Sequence, residues 1–365
     1  MAQTYNETTS RMIAAYMQNA APQRFLSSFF QSPPRNFFDT EEVTIDIQRS
    51  DEEVAVVIDD LTTGWRRNSK DLYTNKSFIP PIYKEAGVLN AFELLKRSAG
   101  RNPFESPAFQ ATAISRAFDV FRKAEEKIQR ANELQASQVL QTGTVSLIDE
   151  NGTVRYAIDY QPKATHFANA GTAWNASGAD PLADIEALAE VIRDDGLQEP
   201  DILLMGADAF RVFIADETVQ AHYNNRRIDQ GTISPMRPNG LGGKYRGYVE
   251  VGNYPFDIWT YGGRYNPADG SAKTEFLTRD KVVVLSSGGR LDAVFGAIPR
   301  LVPPESRVLP YLPTSISNAA NGMNLYVNAW VSTDGENLHV GAGARPLFIP
   351  TAIDTFGCLD TGITA

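Results

Sequence analysis

The chain has 365 residues, 42% of them hydrophobic, with 34 basic against 44 acidic side chains and a formal net charge of −10. That balance argues against gripping nucleic acid by phosphate neutralisation, and the single cysteine, Cys358, excludes an internal disulfide or a thiolate metal cluster. No apolar run approaches the roughly 20 residues of a membrane helix, and Met1 to Ala20 lacks the layout of a signal peptide, so a cytoplasmic product is expected.

Residues 1 to about 50 read as an extended arm. Phe25, Phe29 and Phe30 form apolar clusters on it, and Pro33-Pro34 stops any helix. These phenylalanines either anchor into another surface or fold back on the chain's own core. Phe37 to Ile47 then alternates as a strand, and a second apolar run follows at Val54 to Ile58. A polar excursion carrying Trp65, Arg66, Arg67, Lys70 and Lys76 returns at Phe78-Ile79-Pro80-Pro81-Ile82-Tyr83. So long a loop gains little apolar burial to offset its ordering entropy. A neighbouring copy of the same protein would supply that burial, which makes these loop residues expected intersubunit contacts.

From Ser106 to Thr142 the pattern is helical, with Ser106 as cap and Pro107 at the first position. Ile114, Phe118, Phe121, Ile128, Ala131 and Leu134 make the apolar stripe, Arg122, Lys123, Glu125, Glu126 and Lys127 a solvated face, and Gly143 the end. Such a helix runs ~50 Å at 1.5 Å per residue. Thr144 to Asp149 and Val154 to Tyr160 flank Asn151-Gly152, the strongest short hairpin signal.

Asp180-Pro181 starts a second helix with Ile185, Leu188, Val191 and Ile192 on its buried face and Gly196 as terminator. A short strand, Ile202 to Met205, and a helix, Ala207 to Ala215, continue a mixed α/β unit. Residues 222–247 read as a basic loop with Arg226, Arg227, Arg237, Lys244 and Arg246. Strands follow at Tyr248–Val251, Phe256–Tyr261 and Lys281–Leu285, and Leu325–Val331 pairs with Leu338–Val340 across Thr333-Asp334-Gly335.

No catalytic signature emerges. Gly240-Leu241-Gly242-Gly243-Lys244 lacks the first glycine and the Ser/Thr of a phosphate loop, and His166, His222 and His339 show no metal-ligand spacing. Acidic pairs such as Asp194-Asp195 are adjacent, as at a turn or helix end. The expectation is no enzyme activity, no cofactor and no metal.

The order and wording of Phe37–Ile47, Gly64–Lys84, Asp180–Ala189, Glu275–Leu277, Lys281–Leu285, Tyr326–Val331 and Arg345–Phe348 resemble the phage lambda-type major capsid (head) protein family. The resemblance implies an α+β, tailed-phage capsid (Hong Kong 97-type) fold. Its parts would be an N-terminal arm (1–53), an extended loop with its strands (54–90), a peripheral domain with the spine helix (91–179 and 300–365) and an axial domain (180–299). It further implies hexamers and pentamers of this chain in an icosahedral shell, with the basic loop near their centres, facing acidic groups of the next copy. A scaffolding protein and maturation protease, a portal protein and a decoration protein are the implied partners. Double-stranded DNA would be enclosed without specific binding, as the acidic charge suits, in a virion assembled in the host cytoplasm and without a membrane. A nanocompartment (encapsulin-like) shell of the same fold is the alternative, and an enzyme with an unrecognised axial site the third reading.

Overall fold

Local signals fix most elements. In a computed structural model of the chain, residues 24–38, 42–48, 73–90, 109–224, 228–229, 232–233, 242–298, 315–318, 323–333 and 336–363 are described. The expected run Val54–Ile58, the cap Ser106, and Trp65, Arg66, Arg67, Lys70, Arg226, Arg227 and Arg237 lie outside them.

The first strands described are the antiparallel ribbon β1 (Val43–Gln48) and β2 (Tyr73–Phe78), the base of the expected long loop, followed by β3 (Tyr83–Asn90). Helix α1 (Phe109–Thr142) ends where Gly143 takes a left-handed φ of 66°. The Asn-Gly signal becomes the hairpin β4 (Thr144–Ile148) and β5 (Val154–Asp159), its turn held by the Asp149 carboxylate accepting from Asn151 and Thr153 N–H. Next come β6 (Phe167–Asn169) and α2 (Pro181–Gly196), capped by Asp180 through the Ala183 N–H. Then follow β7 (Ile202–Met205), α3 (Ala207–Ala215), α4 (Glu217–His222), β8 (Tyr223–Asn224), and the short pair β9 (Ile228–Asp229) and β10 (Thr232–Ile233). The remaining strands are β11 (Gly243–Val251), β12 (Tyr254–Tyr261), β13 (Arg264–Tyr265), β14 (Thr274–Glu275), β15 (Lys281–Leu285), β16 (Asp292–Phe295), β17 (Ser315–Asn318), β18 (Met323–Val331), β19 (Asn337–Ala344), β20 (Pro346–Ile349) and β21 (Phe356–Asp360).

Two sheets organise the molecule. A seven-stranded sheet runs β6-β21-β15-β7-β12-β11-β8, with β12/β7 and β21/β6 parallel. Its near-continuous Val, Leu and Ile runs in β7 and β15 are those of strands covered on both faces. Residues 167–169 and 356–360 therefore belong to the same sheet as the 180–299 segment, across the division expected from sequence. The second sheet, β17-β18-β19-β3, packs one face on α1 through Leu89, Leu325, Val327 and Val340 against Ala117, Phe121 and Ile128.

Residues 24–38 fold back on the chain's own core, the second of the two readings of the arm. Phe25 lies against Trp259 and Tyr261, Phe30 against Phe348, and Phe37 stacks on Phe295. Gln31 and Phe38 then hydrogen-bond along β16.

Close backbone approach explains two glycines. A Cβ on Gly196 would lie 2.3 Å from the Asp354 carbonyl oxygen, while it is Leu197 that takes the left-handed cap at φ 55°. Gly196 is there for contact, not termination. On Gly206 a Cβ would lie 2.2 Å from the Thr278 carbonyl oxygen and 2.4 Å from that of Arg279, whereas around Gly262 there is open space. Gly206→Ala should therefore lower stability by about 1–3 kcal/mol and Gly262→Ala by less than about 0.5 kcal/mol, read by thermal denaturation; equal melting temperatures for the two variants would contradict this packing.

Candidate functional site

The buried surface of α1 is more polar than its periodicity suggests. Ala131 and Leu134 are only half-buried, whereas Glu125, Gln129, Asn132, Glu133, Gln135, Ser137 and Gln141 are buried. The expected solvated face thus loses Glu125 to the interior. Helical spacing of four aligns Glu125, Gln129 and Glu133 in one lane, and each reaches a different chain segment or neighbour in it.

At the N-terminal arm, the Glu133 carboxylate accepts the Leu26 N–H at 2.8 Å and the Ser27 N–H at 3.0 Å. Burial raises the Glu133 pKa while these bonds oppose the rise. Arg24 Nε donates to Gln129 Oε1 at 3.1 Å, and Gln129 Nε2 donates to Glu125 Oε1 at 2.8 Å. Further along, Gln135 Nε2 donates to the Tyr83 hydroxyl at 2.8 Å, fixing β3. Gln141 Nε2 donates to the Phe276 carbonyl at 2.8 Å, and its Oε1 accepts the Thr278 N–H at 3.0 Å and hydroxyl at 2.7 Å. Ser137 donates to the same Phe276 carbonyl. One helix thereby positions the arm, β3 and the loop before β15.

Of the residues expected to meet other subunits, Phe25 and Phe30 are buried in the chain's own core and Phe29 is half-buried against Phe25. Phe25 also sits where a Cβ on Gly243 would be, so Gly243 serves packing rather than a phosphate cradle. Arg246 is held internally, its guanidinium 5.1 Å from the Phe210 ring centre and its Nε donating to Thr260 Oγ1 at 2.8 Å. Lys244 is exposed on β11, and Lys76 lies on β2. Those among the described residues thus lie on the arm turn, β2 and β11.

An exposed apolar rung, which the sequence reading did not single out, crosses the outer face of the second sheet. Val88, His339 and Trp330 stand opposite one another on β3, β19 and β18, and the His339 and Trp330 rings stack 5.0 Å apart at 4°. Val88 and Trp330 remain 52% and 41% exposed. Alternation in β18, with Leu325, Val327 and Ala329 on the core side and Tyr326, Asn328 and Trp330 on the other, was the available signal.

Chemistry-bearing groups elsewhere are tied into the fold. His166 Nδ1 lies 2.9 Å from the Phe356 carbonyl oxygen and Nε2 3.1 Å from Asp195 Oδ2, clipping β21 to the last turn of α2. Burial pushes the Cys358 thiol up to about 12, far from a reactive thiolate. Among the described residues no group of His, Cys, Asp and Glu has metal-binding geometry, and no helix is long and apolar enough to cross a membrane.

The sequence profile of phage major capsid protein E matches residues 8–357. Among solved structures, the chain is similar to one described as the capsid protein of a prophage of E. coli CFT073, at 17% identity over 96% of this chain and 98% of that one, with a TM-score of 0.65. A phage-related protein of Bordetella bronchiseptica RB50 matches at 10% identity, 97% and 98% coverage and a TM-score of 0.52. The capsid of Ralstonia phage GP4 matches at 11% identity, 91% and 88% coverage and a TM-score of 0.51. No curated protein matches in sequence. At such identities the structural likeness is one of fold.

Gln141→Leu keeps the volume but leaves the Thr278 N–H without its partner and the Phe276 carbonyl with Ser137 alone, so stability should fall by about 2 kcal/mol. Lys127→Ala, which removes only the exposed 2.8 Å pair with Glu85, should change it by less than about 0.5 kcal/mol. Chemical denaturation of both variants tests whether the polar lane, rather than the surface charges, holds the helix in place.

Proposed function

The chain belongs to the phage major capsid protein E family, and from that premise we propose that it is the subunit of an icosahedral head shell built of its own hexamers and pentamers around double-stranded DNA. The profile match over residues 8–357 carries this reading, and the Hong Kong 97-type fold agrees with it. A structural protein of the capsid, located in the virion, is what family membership gives. Assembly in the host cytoplasm, with a scaffolding protein, a maturation protease, a portal protein and a decoration protein, is the finer part of the proposal.

Its physical supports are three. The net charge of −10 suits a wall that encloses DNA without adhering to it. The β1–β2 ribbon pairs with no other strand among the described residues, so its far end would gain burial from a neighbour. Exposed apolar side chains on the outer sheet face offer a second meeting surface. Trp65, Arg66, Arg67, Lys70 and Lys76 on the loop, and Arg226, Arg227, Arg237 and Lys244 on the basic segment, remain the proposed intersubunit contacts, with the loop belonging to the projecting part and the basic segment to the axial part.

Expression of the chain alone and together with a scaffolding protein, followed by negative-stain microscopy and sedimentation, tests the assembly. Closed shells, tubes or ring-shaped capsomers are expected; a discrete monomer or dimer under both conditions would overturn the proposal. In the same assay Trp330→Glu should leave the subunit folded, by circular dichroism, yet reduce the assembled fraction at least several-fold, since it places a charge on the apolar rung.

A further inference from the structure

We propose that Arg24, Glu125, Gln129 and Glu133 form a protonation-controlled latch, in which a proton held by Glu125 keeps the arm turn Arg24–Phe30 seated on α1 and its loss loosens that seat.

The geometry sets the charge count. The pocket between arm and helix holds one guanidinium and two carboxyl groups, and the Arg24 and Glu125 side chains are about one-tenth exposed, at 11% and 9%. Both Glu133 oxygens accept backbone N–H groups, Oε1 from Leu26 and Oε2 from Ser27, bonds that favour its charged form against the burial that raises its pKa. Glu133 is therefore the carboxylate that offsets Arg24 across the pocket. Glu125 has one oxygen bonded by Gln129 at 2.8 Å and none bonded by Arg24: the nearest guanidinium nitrogen, Nη2, is 4.0 Å away and buried without a hydrogen-bond partner. With Glu125 neutral the pocket carries no net charge. With Glu125 ionised it carries an uncompensated negative charge in a buried site, which is costly.

The other groups facing the pocket reinforce this. Glu126, the next residue on α1, is a further acid, half-screened by Arg122 at 3.2 Å. The buried Tyr261 phenol, facing Glu133 from β12, stays neutral because burial and that carboxylate raise its ionisation. Lys127 points away to Glu85. Burial pushes Glu125 up to about 7, with the Gln129 bond opposing and Glu126 adding. Burial also lowers the Arg24 pKa, with Glu133 opposing.

Since the folded value of Glu125 lies above its ordinary 4.5, the stability linked to its proton is fully present below that value and is lost as pH rises through about 7. The arm turn is thus held tightest on the acid side and released above neutrality, without any change in the apolar packing of Phe25 and Phe30.

Hydrogen exchange of the full-length protein, followed by mass spectrometry at about pH 6 and about pH 8.5 and corrected for the intrinsic exchange rate, reads the latch directly. Protection of the peptide covering residues 24–30 should fall about tenfold between the two conditions, one unit of proton affinity being a factor of ten. Glu125→Gln, neutral throughout, should keep its protection at both. Glu133→Gln, which weakens the acceptor for Leu26 and Ser27, should show low protection at both. An equal fall in wild type and Glu125→Gln, or no fall in wild type, overturns the proposal. If Glu133→Gln does not fold, the melting temperatures of wild type and Glu125→Gln across the same pH interval decide alone: a wild-type-only decrease supports the latch, and parallel curves refute it.

Discussion

A buried polar side chain must find its hydrogen bonds inside the protein, and that constraint, applied along α1, governs the molecule. Apolar contacts between a helix and a sheet tolerate volume-conserving exchanges at a cost of less than about 1.5 kcal/mol. The buried hydrogen bonds of Glu133, Gln135 and Gln141 do not tolerate displacement, because each misplaced donor or acceptor forfeits about 1–3 kcal/mol. Leu26 and Ser27, Tyr83, and Phe276 with Thr278 come from three distant parts of the chain. All three are placed by one rigid element, from positions spread over about two turns. These contacts contribute register more than net stability.

Around that spine both described ends of the chain are drawn inward. The arm lies along β16 and under Phe348, and β21 returns between β15 and β6 in the central sheet. The parts left as isolated two-stranded elements include the β1–β2 ribbon and the β4–β5 hairpin. Among the described residues these two meet where the Tyr156 hydroxyl donates to the Ile79 carbonyl at 2.7 Å and Phe78 packs edge-on against Tyr160. A firm interior with projecting ribbons divides the labour sensibly for a shell protein: the core folds within one chain, and the ribbons can take up contacts that no single chain provides.

The legible parts of this fold are those written over short distances. Asn151-Gly152 between alternating runs, Asp180-Pro181 before an amphipathic stretch, and Gly143 after one each dictate a local backbone shape, and each stands where expected. The partnership of β21 with β15 and β6 depends on residues about 75 and 190 positions apart, which no window reveals. Glu125 and Glu133 were hidden differently. A charge on a helix is ordinarily solvated, so Glu125 reads as surface and Glu133 attracts no notice. Their shared spacing with Gln129 is visible in the sequence; what it lacks is the arm that covers them. Phe25 shows the converse, since its burial against Trp259 and Gly243 is decided by residues more than 200 positions away.

The distribution of exposed apolar side chains separates the two halves of the molecule. Among the described residues the large exposed ones are Ile79, Ile82, Val88, Ile148, Val154, Trp330 and Val331. None belongs to the seven-stranded sheet or to the helices α2 and α3 that cover it. Single exposed apolar residues mean little, but Val88, His339 and Trp330 occupy one continuous rung, and Ile148 is directly paired with Val154. Cross-strand neighbours of this kind form patches. Edges and faces of that sort invite pairing with further chains unless charge blocks them, and here the rung is free of acidic or basic side chains apart from an imidazole. A monomeric protein would be expected to screen it. A chain whose family builds shells has reason to keep it open, while the seven-stranded half is sealed by Ile185, Leu188, Ile192 and Phe213.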